Sequence, residues 1–298
     1  MLTTLSPDHV NSWRQDGVIV IEKFFDRDEM EPILRDYQRL YGKTGKEKAN
    51  LTDFSKQFEI IDVLPYPGSL DLNLISLHPS LIKAAKSLLA VESVHLYQSH
   101  TWAKFTGFSN YDQKFHCDYG NHTLTVPSTD LSSSTVNFLI YISDVSNKHG
   151  PFEYVPKSIS DEILGRRALR LPKVDNGAYE KLQAAAKSVL APSGSLIVYG
   201  LDVFHRGTNL TGSHAARYSM TISYKRAGND GIGFHSWQES KERNWNMIIE
   251  HASPDQLGCL GFPLPGSNFW NKTTLAQTME RWPKWNSSAY KANMYRRH

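Results

Sequence analysis

Apolar and polar positions along the chain follow two different rules, one before about Val91 and one from Val94 onward. In the first part, Ser6-Pro7 reads as an N-cap followed by the first helical position, and Gly17 stops that helix. The β-branched run "VIVIEKFF" from Val18 predicts a strand. Asp26 then caps a second helix, "RDEMEPILRDYQRLYG", which Gly42 ends. From Lys43 to about Asp62 the chain is polar and has no period, which predicts a loop. "HPSLIKAAKSLLAV" places Leu81, Ala84, Ala85, Leu88 and Leu89 on one face and predicts an amphipathic helix.

From Val94 the period changes. "VHLYQSHTWAKF", "STVNFLIYIS", "GPFEYVP", "GSLIVYG" and "RYSMTISYKR" are short β-rich runs bounded by Gly, Pro, Ser and Asn. Such runs predict an antiparallel double-sheet or barrel core. "GAYEKLQAAAKSVLAP" between them predicts a helical insertion. After Lys225 the chain turns rich in Trp, Gly and Pro, and no long linker divides it. The expectation is a single domain over 1–298, with N-terminal helices, a β-core and a Trp/Gly/Pro-rich C-terminal extension.

Composition narrows the function classes. The 298 residues carry a formal charge of only +3, with no Lys/Arg block. Binding to nucleic acid or to an anionic membrane is therefore not expected. No apolar run approaches the ~20 residues a membrane span needs, and the N-terminus lacks the charge and apolar pattern of a signal peptide. Two cysteines, Cys117 and Cys259, form no framework. A reducing cytoplasm is the expected compartment.

The candidate chemistry begins in "KFHCDYGNH", where His116 and Asp118 stand two residues apart. On extended backbone they share one face. Alone, a His-x-Asp pair is weak. It gains weight from "GSLIVYGLDVFHRGTN", which supplies His205 just after a strand, and from Arg217 about a dozen residues further on, at the start of the next strand. Two neutral imidazoles and one carboxylate can occupy one triangular face of an octahedral Fe(II), leaving three positions open. The planar fork of Arg217 can grip a carboxylate, as a keto-acid cosubstrate requires.

These segments resemble the phytanoyl-CoA dioxygenase-like branch of the Fe(II)/2-oxoglutarate oxygenases. The resemblance runs from "DGVIVIEKFFDRDEM" through "HCD", "NKHGPFEYVPKSI", "FHRGTN" and "RYSMTISY" to "GFPLPGSNFW". It implies a double-stranded β-helix (a jelly roll, cupin-like) with flanking helices. It implies Fe(II) held by His116, Asp118 and His205, and Arg217 on the distal carboxylate of 2-oxoglutarate, with O2 as the other co-substrate. Gln98 in "YQSHTW" matches a cosubstrate-contacting Gln of the ectoine hydroxylases, and Ser219 could share the carboxylate. The family often has a hydroxyl two residues after the distal His; here that position is Gly207, and the neighbouring Thr208 is the candidate replacement. In "GPFEYVPKSI" Lys157 and Ile159 stand where the family has Gly and His, so this loop departs from the pattern.

The resemblance implies hydroxylation of an unactivated C–H bond in a small molecule, possible in specialised metabolism, with desaturation, epoxidation or cyclisation as variants. A halogenase needs an open position in place of the carboxylate, and Asp118 is present. A cupin-like binding module without turnover has no use for Arg217, and nor does a zinc hydrolase. Of the other histidines, His100 or His122 could line the pocket, while the rest are expected to be structural. Cys117 alternates away from its neighbours, and the C-terminal tryptophans are expected to pack. Lys43–Asp62 and the region from Phe234 through Trp245, with Glu239, Lys241 and Arg243, are the segments suited to close over a substrate.

Overall fold

The computed structural model describes residues 4–44, 59–61, 64–107, 112–122, 131, 134–165, 171, 177–229, 232 and 244–294. Most of the Lys43–Asp62 and Phe234–Trp245 segments, including Trp237, Glu239, Lys241 and Arg243, lies outside the described residues.

The N-terminal helices form where local chemistry dictates. Helix α1 (Pro7–Asp16) is capped by Ser6, and Gly17 at φ 73° ends it. Helix α2 (Arg27–Tyr41) opens with a reciprocal capping box: Asp26 accepts from the Glu29 amide and Glu29 accepts from the Asp26 amide. Its buried stripe Met30, Ile33, Tyr37, Leu40 and Tyr41 faces inward. Helices α3 (Leu70–Leu74) and α4 (Pro79–Leu89) follow, and α4 buries Leu81, Ala84, Ala85 and Leu88.

The strands are β1 (Val18–Ile21), β2 (Glu59–Ile61), β3 (Val94–Phe105), β4 (Thr135–Tyr141), β5 (Phe152–Tyr154), β6 (Lys187–Ser188), β7 (Leu196–Tyr199), β8 (His205–Gly207) and β9 (Ala216–Arg226). They make a six-stranded sheet in the order β1-β7-β4-β9-β3-β2 and a smaller sheet β6-β5-β8. All pairings are antiparallel. The two facing sheets are the double-stranded β-helix that the sequence resemblance implied. Helices α5 (Tyr119–His122), α6 (Lys157–Leu164) and α7 (Ala178–Ala185) lie in the connections, and α8 (Asn246–Ile249), α9 (Pro254–Cys259), α10 (Lys272–Arg281) and α11 (Ser288–Met294) form the C-terminal extension.

The expected helix over "GAYEKLQAAAKSVLAP" needs correction. It stops at Ala185, and Lys187–Ser188 become β6, paired with Tyr154 and Glu153 of β5. Val189 continues that pairing by donating to the Phe152 carbonyl. Unfilled backbone groups on β5 outweigh the helix propensity of a short alanine run.

Strict alternation gives the large sheet two unlike faces. Tyr218, Met220, Ile222 and Tyr224 of β9 point to one side, with Val136, Phe138 and Ile140 of β4 and Leu196 and Val198 of β7. This face packs on α2, α3 and α4 in the main core. The Tyr37 hydroxyl reaches it and donates to the Ser219 carbonyl at 2.9 Å. The other face looks between the sheets: Asn137, Arg217, Ser219, Thr221 and Ser223 line a cavity there, and Tyr141 and Ile197 join a second apolar cluster. A separate core of Ile249, Leu257, Trp270, Leu275, Trp285 and Tyr290 holds the C-terminal helices, so Trp270 and Trp285 pack as expected. Among the described residues, no helix is long and apolar enough to cross a membrane.

Candidate functional site

His116 and His205 become neighbours through backbone pairing. His116 forms an isolated antiparallel bridge with His205, the first residue of β8. Each amide donates to the other's carbonyl, at 3.1 and 3.0 Å. Directly opposed residues point to the same face, and the two rings lie 4.5 Å apart. Asp118, two residues after His116, reaches both: its Oδ1 is 3.7 Å from His116 Nε2 and 3.6 Å from His205 Nε2. One ligand atom from each of the three residues falls within 4.8 Å of the others.

The neighbours set each group's chemical state. His116 Nδ1 lies 2.8 Å from the Lys114 carbonyl, and His205 Nδ1 lies 2.9 Å from the Val203 carbonyl. A carbonyl can only accept, so both Nδ1 atoms carry a proton, and both Nε2 atoms are turned toward Asp118. Burial pushes the His205 pKa down, opposed by the Asp118 charge and aided by His116. The imidazole is therefore neutral, as a metal ligand must be. Tyr199 donates to the other oxygen of Asp118 at 3.4 Å. Phe152 stacks on the His205 ring at 5.2 Å and fixes its plane. Two imidazoles and an oriented carboxylate on one side of an open cavity fit a divalent iron held through nitrogen and oxygen.

Behind this triad lies a cavity of about 310 Å³, at the small end for ligand pockets. The sheet register arranges its floor in rows. Tyr199, Asn137, Ser223 and Gln98 form the row nearest the triad. Leu139, Thr221 and His100 follow, then Ser219 and Trp102. Arg217 and Lys104, directly opposed, end the series. Trp102 donates to the Thr221 hydroxyl at 2.6 Å and stacks on His100. His122 also lines the cavity, bonded through Nδ1 to the Tyr97 hydroxyl at 2.7 Å.

The last row is strongly cationic and dry. Arg217 is 5 % exposed and Lys104 only 2 %. Burial lowers the Arg217 pKa, and the nearby Tyr141 hydroxyl works against that shift. Burial, helped by the Arg217 charge and opposed by Asp112, pulls the Lys104 ammonium down to about 7. Arg217 donates through Nη1 to the Gly150 carbonyl, and Lys104 donates to the Thr208 carbonyl. Like charges directly opposed across a sheet repel, and an anion between them relieves that repulsion.

Gly150 is fixed by this arrangement. It sits at φ 62°, and a Cβ there would lie 2.4 Å from the Thr208 carbonyl oxygen. Gly150→Ala is expected to destabilise the fold by more than about 1 kcal/mol, since strain at positive φ adds to the clash. It should also move the carbonyl that holds Arg217. Thermal unfolding with and without 2-oxoglutarate checks both effects.

The triad, Arg217, Gln98 and Ser219 all reach this cavity. Thr208 does not belong to its wall: its hydroxyl donates to the Pro151 carbonyl at 2.7 Å. His100 and His122 line the cavity, while His149 and His78 serve in helix caps. Cys117 packs in an apolar cluster with Phe115 and Val155, and burial raises its thiol pKa. Lys157, at the departing motif position, pairs with Asp202. Sequence reasoning missed Lys104, Trp102, Asn137 and Tyr199. The signal was present for two of them, because residues 100, 102 and 104 of one strand share a face.

Comparisons with known proteins place this geometry. The chain is 22 % identical over 242 residues to an ectoine dioxygenase of Bordetella parapertussis, covering 76 % of this chain and 77 % of that protein. It superposes on EctD from S. alaskensis, solved with 2-oxoglutarate and 5-hydroxyectoine, with a TM-score of 0.57 and 17 % identity, over 76 % of this chain and 77 % of that one. It also superposes on HygX from Streptomyces hygroscopicus, solved with nickel and 2-oxoglutarate, with a TM-score of 0.52 and 17 % identity, over 76 % and 88 %. At that identity the two structures share the fold. The family model described as phytanoyl-CoA dioxygenase (PhyH) matches residues 13–218, a span that takes in His116, Asp118, His205 and Arg217. More than half of the chain lies within that match, and the protein therefore belongs to the phytanoyl-CoA dioxygenase family and is a dioxygenase.

Proposed function

We propose that the protein oxidises a C–H bond of a small molecule, using Fe(II), 2-oxoglutarate and O2, with hydroxylation as the outcome. The observation that carries this reading is one cavity with a His-Asp-His triad at one end and the buried Arg217 at the other. When bound, Fe(II) and 2-oxoglutarate supply the O2-activating chemistry, in which the keto acid leaves as succinate and CO2.

The chain's own residues perform the remaining tasks. His116, Asp118 and His205 hold the iron. The Lys114 and Val203 carbonyls and the Tyr199 hydroxyl orient those ligands. Arg217 grips the distal carboxylate of 2-oxoglutarate, Lys104 adds a second positive charge, and Ser219 and Gln98 stand along the path to the triad. The stacked Trp102 and His100 wall the cavity. The same reading takes the chain as one catalytic domain acting on small molecules, in a reducing cytoplasmic setting that suits its free cysteines. Desaturation, epoxidation and cyclisation share these cofactors and depend on how the substrate lies. The direct test is succinate release by the iron-loaded protein; its absence with Fe(II), 2-oxoglutarate and O2 all present would overturn the proposal.

Lys104 gives this reading a pH signature. In the free protein its pKa is about 7, and a bound dianion favours the charged form and raises it. Affinity for 2-oxoglutarate is thus full below about pH 7 and falls as the pH rises above it. Fold stability responds in the opposite sense. The folded pKa lies below the ordinary lysine value, so stability rises between about pH 7 and that value. Titration of 2-oxoglutarate binding against pH checks this, and Lys104→Met is expected to flatten the profile.

A further inference from the structure

Gly207 makes one stretch of the cavity wall bare backbone, and a side chain from another segment lies against it. His205 and Gly207 are two apart on β8 and both line the cavity. His205 belongs to the triad, and from there the strand runs toward the cationic end. Gly207 pairs with Phe152, and Gly150, two residues before Phe152, holds Arg217 through its carbonyl. Thr208, the next residue after Gly207, holds Lys104 through its own carbonyl. Gly207 therefore stands on the wall between the triad and Arg217. Gln113, three residues before His116, covers it. The Gln113 amide donates to the Gly207 carbonyl at 2.9 Å. The Gly207 amide donates back to the Gln113 side-chain oxygen at 2.8 Å. Beside this pair, the Asn209 amide donates to Asp112 at 2.7 Å, so the edge is held at two successive places.

The bond from Gly207 fixes the carboxamide. A backbone N–H can only donate, so the atom facing it is Oε1, and Nε2 with its two protons is what Gln113 has left to offer. The side chain is half-buried and lines the cavity. Arg217 reaches the far end of that cavity from the large sheet, with Nη1 already donating to Gly150. A carboxylate accepts about four hydrogen bonds, more than one engaged guanidinium supplies. The floor of the same path shows a matching demand. Asn137 is 1 % exposed, and its carboxamide makes no hydrogen bond of ordinary geometry among the described residues. Buried polar groups are paired, and the keto acid lying along the path answers this one.

We propose, resting on the oxygenase reading above, that Gln113 is a cosubstrate-binding residue. Its Nε2 donates to the distal carboxylate of 2-oxoglutarate from the small-sheet wall, while Arg217 grips that carboxylate from the large sheet. Thr208 was the residue expected to help there, and its hydroxyl is spent on the Pro151 carbonyl instead. Gln113 thereby favours keto acids that carry a second carboxylate.

The test loads the full chain with Mn(II) in the absence of O2 and follows the Mn(II) electron-resonance signal as ligand is added. 2-Oxoglutarate is compared with 2-oxopentanoate, which has the same keto-acid end and chain length but no distal carboxylate. The unaltered protein is expected to bind 2-oxoglutarate at least about tenfold more tightly. Gln113→Met, which keeps the length and loses both donors, should weaken 2-oxoglutarate by about tenfold and leave 2-oxopentanoate unchanged. Gln113→Glu separates donation from support. It keeps an oxygen for the Gly207 amide, removes the donors and sets one carboxylate against another. 2-Oxoglutarate should then weaken by about thirtyfold or more, again with 2-oxopentanoate unchanged. If Gln113 only supports Gly207, the glutamate variant binds 2-oxoglutarate as the unaltered protein does, and that result overturns the proposal. An equal loss for both keto acids in Gln113→Glu also overturns it, because the contact is then not with the distal carboxylate. Thermal unfolding of each variant confirms that the fold is kept, and the glutamate variant carries the test if the methionine variant folds poorly. The unaltered protein separates the two levels of inference. If it binds no Mn(II), or does not prefer 2-oxoglutarate to 2-oxopentanoate, the oxygenase reading itself falls and this proposal falls with it. A preference that is present there and undiminished in Gln113→Glu removes Gln113 alone.

Discussion

His205→Ala is expected to abolish metal-dependent turnover. The imidazole is buried and neutral, and its Nε2 is aimed at Asp118 by the bond from Nδ1 to the Val203 carbonyl. Losing an outer hydrogen-bond partner of a metal ligand typically costs about 10–100-fold in metal affinity or activity. Removing the ligand itself should cost more. The variant also vacates space beneath the Phe152 ring, so some loss of stability is expected from packing alone. His205→Gln keeps most of that volume and separates the two effects. It should unfold near the temperature of the unaltered protein while binding Fe(II) poorly. Metal content after dialysis, measured alongside unfolding, checks this, and full activity in either variant would remove His205 from the site.

Arg217→Ala is expected to weaken 2-oxoglutarate binding by about 30-fold or more. Truncating one partner of a buried charge pair costs about 2–5 kcal/mol, and about 1.4 kcal/mol is tenfold in affinity. Iron binding should survive, since Arg217 stands at the opposite end of the cavity from the triad. Lys104, directly opposed to Arg217 in the sheet, moderates the loss through its charge. The double replacement with Lys104→Met should therefore lose more than either alone. Arg217→Lys should restore little, because an ammonium cannot reproduce the fork geometry. Calorimetric titration with 2-oxoglutarate in the presence of Mn(II) reads the four variants against the unaltered protein. An affinity in Arg217→Ala equal to that of the unaltered protein would place the carboxylate grip elsewhere.

Much of the fold was written locally. The Ser6 and Asp26 caps and the glycines at positions 17 and 42 bound α1 and α2 because capping depends on the nearest few residues. The long strands β3 and β9 follow the alternation of their own side chains. The spacing of His116 and Asp118 and the order of His205 and Arg217 gave the candidate ligands, since two residues apart on extended backbone means one face.

Other features depended on which strand lay beside which. The helical tendency of the alanines around Ala185 yielded to β6 because β5 offered backbone partners from far away in the chain. No local pattern says that His116 opposes His205, because that contact is made by two backbone hydrogen bonds across 88 residues of intervening sequence. Lys104 reads as an ordinary strand lysine until β9 sets Arg217 opposite it, and only the desolvation of that pair draws its pKa down to about 7. Asn137 likewise reads as one polar residue in an apolar run, and the sheet order alone brings it beside Tyr199 and Ser223 in the floor of the cavity. The sequence by itself determined most element types, their caps and the candidate metal ligands, because these follow from backbone period and nearest neighbours. The tertiary structure alone decided the rows of the cavity, the buried pair of cations and the unpartnered carboxamide, because register and burial are set by contacts between residues far apart in the chain.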